Sequence, residues 1–132
     1  MGPRPLSPTV WTSPQLAPEV LADLAASGVQ RIISNRPDGE DPGQPTAAEM
    51  EAAARNAGLD FGWVPVSGTP GPAQAAAVRE LLADGRPTVM FCRSGTRSAA
   101  AWAMAERLRG VDAEDLRAAA AGAGYDLSRL PL

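Results

Sequence analysis

The chain has 132 residues, one domain's worth, long enough to bury roughly 65–70% of the surface its unfolded form exposes. Twelve basic residues, every one an arginine, stand against fifteen acidic ones for a net charge of −3, which argues against nonspecific attraction to nucleic acid or to an anionic membrane. There is no histidine, which excludes Ser-His, Cys-His and His-metal chemistry together, and a single cysteine, which cannot form an intramolecular disulfide.

The first element expected is a short β-prone run from Thr9 to Thr12, bounded by prolines as an edge strand or hairpin would be. "PEVLADLAASG" follows with Val20, Leu21 and Leu24 at helical spacing, Pro18 at its start and Gly28 as its stop. "VQRIIS" reads as a strand and "NRPDGEDPGQP" as a turn-rich loop. Thr46 with Glu49 makes a capping box for a helix reaching about Ala57 and ending at Gly58. "LDFGWVPVS" is the next strand, and "AQAAAVRELLADG" a helix that ends at Gly85.

"PTVMF" is a short apolar run of the kind found in a buried parallel strand. After "CRSGTRS" comes a helix to about Arg109, and Asp112 opens a last one through about Ala121. Strands alternating with helices predict a single α/β domain over residues 1–132, with a mostly parallel central sheet and helices on both faces. Alanine dominates the hydrophobic content, so close helix packing is expected. The N-terminal "MGPRPLSPTVW" has no apolar run suited to a signal peptide, and no segment approaches ~20 apolar residues. A cytoplasmic location is the expectation, and no cofactor or metal site is read from the residue pattern.

In such folds ligands sit at the carboxyl ends of strands, where loops lead into helix N-termini. Cys92 falls at that place. A free thiol is mostly protonated at neutral pH, so a nucleophilic cysteine needs local positive potential. The backbone N–H groups of Arg93 to Ser98, curling into a helix, would form an anion nest reinforced by the helix dipole. Gly95 permits the tight turn, and Arg97, with Arg93 beside it, supplies a guanidinium fork suited to two oxygens of an oxyanion. The hydroxyls of Ser94, Thr96 and Ser98 are candidate donors to thiolate or substrate. The bland alternative, a packed strand-end thiol, does not explain the surrounding arginines and glycine.

Two families place a catalytic cysteine on such a loop. Cysteine-based phosphatases carry Cys-x-x-Gly-x-x-Arg, and rhodanese-type sulfurtransferases a ring one residue shorter. In "CRSGTR" the arginine comes five residues after the cysteine, the rhodanese length. Yet "FGWVPVS" resembles the dual-specificity-phosphatase strand that leads to the general-acid aspartate, although Ser67 and Thr69 stand there without an acidic residue and Phe91 precedes Cys92 where a histidine is usual. Without an acid, hydrolysis of alkyl phosphate esters loses typically ~10²–10⁴-fold.

Taken together, "SPQLAPE", "NRPDGEDPGQP", "FCRSGTRSAAAWAMA" and "AGAGYDLS" closely resemble the β-lactamase hydrolase-like protein family, phosphatase-like domain. The resemblance implies a dual-specificity-phosphatase-like fold, both the phosphatase and the sulfurtransferase labels, of which the loop length and the missing acid favour the second, and, as partners, sulfide- or persulfide-oxidising enzymes. Asn35 and Arg36 match the family's motif after the second main strand. Arg36 either lends a second charge to the pocket or braces the loop by pairing with Asp38 or Glu40. Asp38, in "RPDG", reads first as a turn former and second as an alternative acid. Trp102 is expected in the core rather than as a site wall.

The leading expectation is therefore a rhodanese-like sulfurtransferase without a cofactor. Cys92 would take sulfur from a small anionic donor, thiosulfate or a low-molecular-weight persulfide, and pass it to a thiol acceptor, with Arg97 and the loop amides holding the anion. An atypical cysteine-dependent phosphatase is the alternative, and a noncatalytic anion-binding or redox-sensing module the third reading.

Overall fold

A computed structural model describes residues 2–132. Five strands form one sheet: β1 (Arg4–Pro5), β2 (Val10–Ser13), β3 (Arg31–Ser34), β4 (Asp60–Trp63) and β5 (Thr88–Phe91). Their spatial order is β1-β2-β5-β3-β4, with β1 antiparallel to β2 and every other pair parallel. The expected α/β class and parallel sheet are present. The strand that precedes the cysteine lies at the centre, all four of its residues buried as its continuous apolar run requires.

The helices are α1 (Leu21–Ala26), entered through a 3₁₀ turn at Pro18–Val20, α2 (Ala47–Asn56), α3 (Pro72–Leu82), α4 (Thr96–Leu108) and α5 (Ala113–Gly122). The alternation of side chains along each strand divides the core into two. Ile32, Val89 and Phe91 face Leu21, Met50 and Ala54 of α1 and α2, whereas Val10, Ile33 and Met90 face α3, α4 and α5. Trp102, 3% exposed, packs in the second layer, in line with its core reading. The alanines of α4 let that helix lie close: Ala99, Ala101, Ala103 and Ala105 are wholly buried.

Local signals set the boundaries. Thr46 accepts the Glu49 N–H and the Glu49 carboxylate accepts the Thr46 N–H, the capping box that starts α2. β4 is shorter than its sequence because its regular pairing ends with β3, at Ser34 opposite Trp63, although the N–H groups of Val64 and Val66 still reach the carbonyls of Ser34 and Asn35. The register pairs Ser13 and Ser34 with Phe91 on either side, so β2, β3 and β5 end together. Cys92 emerges between them.

Candidate functional site

Cys92 leaves the end of β5 with its N–H directed at the Ser13 carbonyl (3.4 Å) and its side chain fully buried. The chain then turns through Gly95, whose φ of 95° lies in the left-handed region open to glycine, and enters α4 at Thr96. This turn brings the Gly95 N–H to 3.1 Å from the Cys92 sulfur. The first amides of α4, which have no helical partner, point the same way and carry the positive end of the helix dipole. Thr12 Oγ1 donates to the Gly95 carbonyl (2.8 Å), and the Tyr125 hydroxyl donates to the Ser94 carbonyl (3.0 Å).

Arg97 is the charged partner of this turn. Its Nη1 and Nη2 donate to the two carboxylate oxygens of Glu40 at 2.7 and 2.9 Å, and Nη1 also donates to the Val66 carbonyl at 2.7 Å. The end of the guanidinium is thereby committed to protein, and the group also lies close enough to Cys92 to interact with it. The Glu40 bonds, and after them the Cys92 thiol, hold Arg97 even more firmly protonated than usual against the opposing effect of burial. A guanidinium held beside a cysteine is a ready partner for an oxyanion.

Glu40 itself sits between two arginines. The Arg97 hydrogen bonds lower its pKa to about 2 against partial desolvation, and Arg36 adds to the lowering. It is ionised throughout the neutral range and holds no proton to give. Arg36, only 5% exposed, binds Glu40 Oε1 through Nε (2.9 Å), Asp41 through Nη2 (2.6 Å) and Gln15 through Nη1 (3.0 Å). Of its two anticipated roles it takes the bracing one, with Glu40 and Asp41 as partners. Asp38 caps α2 by accepting the Ala47 N–H at 2.8 Å, so it is a structural acceptor and not the missing acid.

Several anticipated anion ligands are turned elsewhere. The Arg93 side chain is 68% exposed and pairs with Asp41 at 3.2 Å, on the outside of the ring. The Ser94 and Thr96 hydroxyls bond to each other at 3.2 Å on the exposed surface, so these residues offer the cradle their amides only. Ser98 and Asn35, both buried, satisfy one another: the Ser98 hydroxyl donates to Asn35 Oδ1 at 2.8 Å and Asn35 Nδ2 donates to the Val64 carbonyl at 3.0 Å. One residue past Arg97 on a helix is a rotation of about 100°, which aims Ser98 at β3 and away from the cysteine. The sequence reading missed Thr12 and Tyr125 as supports of the loop and saw Glu40 only as a partner for Arg36.

A family model described as "Beta-lactamase hydrolase-like protein, phosphatase-like domain" matches residues 3–109. The beta-lactamase hydrolase-like protein of Agrobacterium fabrum is 37% identical over 107 residues, 79% of this chain and 25% of that protein. Its counterpart in Xylella fastidiosa strain Temecula1 is 37% identical over 110 residues, 81% of this chain and 26% of that protein. The chain thus spans about a quarter of the length of these relatives.

Among solved structures, a candidate phosphatase of Neisseria meningitidis superposes with a TM-score of 0.79 at 27% identity, over 96% of this chain and 91% of that one. Kinase-associated phosphatase, with its catalytic-site cysteine replaced by serine, gives 0.70 at 18% identity over 89% and 76%. TpbA of P. aeruginosa, a serine-for-cysteine variant in complex with phosphotyrosine, gives 0.64 at 20% over 92% and 74%. The last two establish the fold alone, which is that of the dual-specificity and cysteine phosphatases. None of these relatives is described as a sulfurtransferase.

Proposed function

This chain belongs to the family of the beta-lactamase hydrolase-like protein, phosphatase-like domain, and we propose that it is a cysteine-dependent phosphatase of atypical loop length. The observation that carries the reading is the Cys92 sulfur lying 3.1 Å from the Gly95 amide, in a turn that runs on into Arg97, whose charge interacts with the cysteine. That arrangement binds a tetrahedral oxyanion and places a thiolate beneath its central atom. The thiolate attacks phosphorus, the bond to the leaving oxygen breaks with its electron pair, and water then attacks phosphorus to break the P–S bond and release phosphate.

Substrate choice follows from the state of the groups that the sequence places where a general acid would stand. Ser67 and Thr69 stand in the strand-to-loop stretch, Glu40 is ionised with a pKa of about 2, and Asp38 is committed to α2. Leaving groups that depart unprotonated are therefore preferred, aryl oxygens with a pKa of ~10 well ahead of alkyl ones.

The expectation of sulfur transfer yields first place, because the matching family model is described as a phosphatase-like domain and the Neisseria meningitidis structure as a candidate phosphatase. It stands as a second reading, favoured by the five-residue interval from Cys92 to Arg97. There the thiolate attacks the outer sulfur of thiosulfate, the S–S bond breaks, and sulfite departs with the electron pair without needing an acid. A thiol or cyanide then takes the sulfur from the Cys92 persulfide.

Paired initial rates on the protein and its Cys92→Ser variant separate the two, with an aryl phosphate in one assay and thiosulfate plus cyanide in the other. Phosphate release that depends on Cys92 is the expected result. Thiocyanate alone would replace the first reading with the second, and no Cys92-dependent turnover of either kind would overturn both.

A further inference from the structure

We infer that Tyr125 is a positioning residue for the oxyanion cradle, acting through the Ser94–Gly95 peptide unit. In a planar trans peptide the carbonyl and the N–H point in opposite directions. The Ser94 carbonyl accepts the Tyr125 hydroxyl at 3.0 Å on the outer side, and the Gly95 N–H of the same unit meets the Cys92 sulfur at 3.1 Å on the inner side. One side chain thus fixes which end of this dipole faces the reacting atom.

The neighbouring units are held by other means. The Arg93 carbonyl accepts the Gln15 N–H at 3.3 Å, and the Gly95 carbonyl accepts both Thr12 Oγ1 at 2.8 Å and the Ala99 N–H at 3.0 Å. Among the described residues, the Ser94 carbonyl has the Tyr125 hydroxyl as its hydrogen-bond partner. The unit it belongs to is also the one most able to rotate, because Gly95 follows it with no Cβ and a φ of 95°. Rotation would turn a carbonyl oxygen toward thiolate and oxyanion, reversing the local field. Tyr125 opposes that rotation.

Tyr125 is itself firmly placed. Its N–H bonds to the Ala120 carbonyl and the Gly124 N–H to that of Ala121, which with φ of 93° at Gly124 forms the Schellman closure of α5. Arg4 Nη1 holds the Ala123 carbonyl of the same turn at 3.1 Å. The hydroxyl lies where a Cβ on Gly95 would be, 2.2 Å from that position, so ring and loop are in contact.

The inference rests on the Cys92 loop being an oxyanion site, and not on which group is transferred there. The test is Tyr125→Phe, which removes only the hydroxyl. Inorganic phosphate affinity, read by titration calorimetry, should weaken about tenfold. The ratio of Cys92 alkylation rates by anionic iodoacetate and neutral iodoacetamide should fall by a similar factor. A purely structural role would alter both alkylation rates together, and the thermal midpoint should move by no more than about 4 °C.

A variant matching the parent protein in phosphate affinity and in the alkylation ratio overturns the inference alone. A parent protein that neither binds phosphate nor favours iodoacetate overturns the oxyanion-site reading, and the inference with it.

Discussion

Replacing Glu40 by glutamine probes how the oxyanion arginine is aimed. The carboxylate accepts from Arg97 Nη1 and Nη2 and from Arg36 Nε, all within 2.9 Å. An amide can keep one oxygen against two of these donors, but its nitrogen then meets the third donor with a donor, and the two-point hold on Arg97 is lost. Hydrogen bonds to charged groups are worth about 1.5–3 kcal/mol. Water reaches this carboxylate, whose side chain is 27% exposed, and screening selects the lower end of that range, about 1.5 kcal/mol. A loss of that size in the transition state lowers kcat/KM about tenfold.

The assay is initial-rate kinetics with an aryl phosphate, alongside phosphate affinity and thermal melting. Arg36 keeps Asp41 and Gln15, so the fold should survive. The melts add a pH signature. The folded pKa of Glu40, about 2, lies below its ordinary 4.5, so the stabilisation is fully present above about 4.5 and is lost as pH falls toward about 2. The difference in stability between parent and Glu40→Gln should therefore be flat from about pH 5 to about 8 and shrink below that window. Unchanged kcat/KM together with unchanged phosphate affinity would refute the idea that Glu40 aims Arg97.

Two further substitutions test the turn and the scaffold separately. Gly95→Ala places a methyl in the left-handed region and 2.2 Å from the Tyr125 hydroxyl, so it should cost about 1–3 kcal/mol of stability and remove most activity. A stable, active variant in denaturant titration and turnover would show that the loop has a conformation other than the one described. Thr46→Ala removes the side-chain half of the α2 capping box, far in sequence from Cys92, while Asp38 keeps the Ala47 N–H, and should cost about 0.5–2 kcal/mol while leaving kcat/KM at the parent value.

Much of the architecture is legible in the sequence because its signals are local. Pro and Gly punctuate the helices, the Thr46–Glu49 box is complete within four residues, and "TVMF" reads directly as the central strand. The two-residue β1 carries too little pattern to be seen, and the shortening of β4 depends on where its partner β3 ends, which its own residues do not reveal. At the site, Cys92, Gly95 and Arg97 are legible for the same reason of spacing. The misassigned residues are those whose partners lie far along the chain. Ser98 looks free for the cradle until Asn35, distant in sequence, takes its hydroxyl, and Arg93 looks like a ligand until Asp41 claims it. Thr12 and Tyr125 have no local signal at all, since each matters only through a carbonyl it meets across the fold.

That long reach bears on how the protein acquires its site. The pins come from Thr12 and Tyr125, near opposite ends of the chain, and the arginine clasp from segments after β3 and β4. The Thr12 pin joins residues 83 apart and the Tyr125 pin residues 31 apart, so the cradle is complete only when both separate loops have closed. A chain in which either loop is still open has a thiol but no complete anion nest. Phosphate or sulfate in the folding medium then acts on the completed state alone, drawing the equilibrium toward it by about 2.7 kcal/mol at a hundred times its dissociation constant.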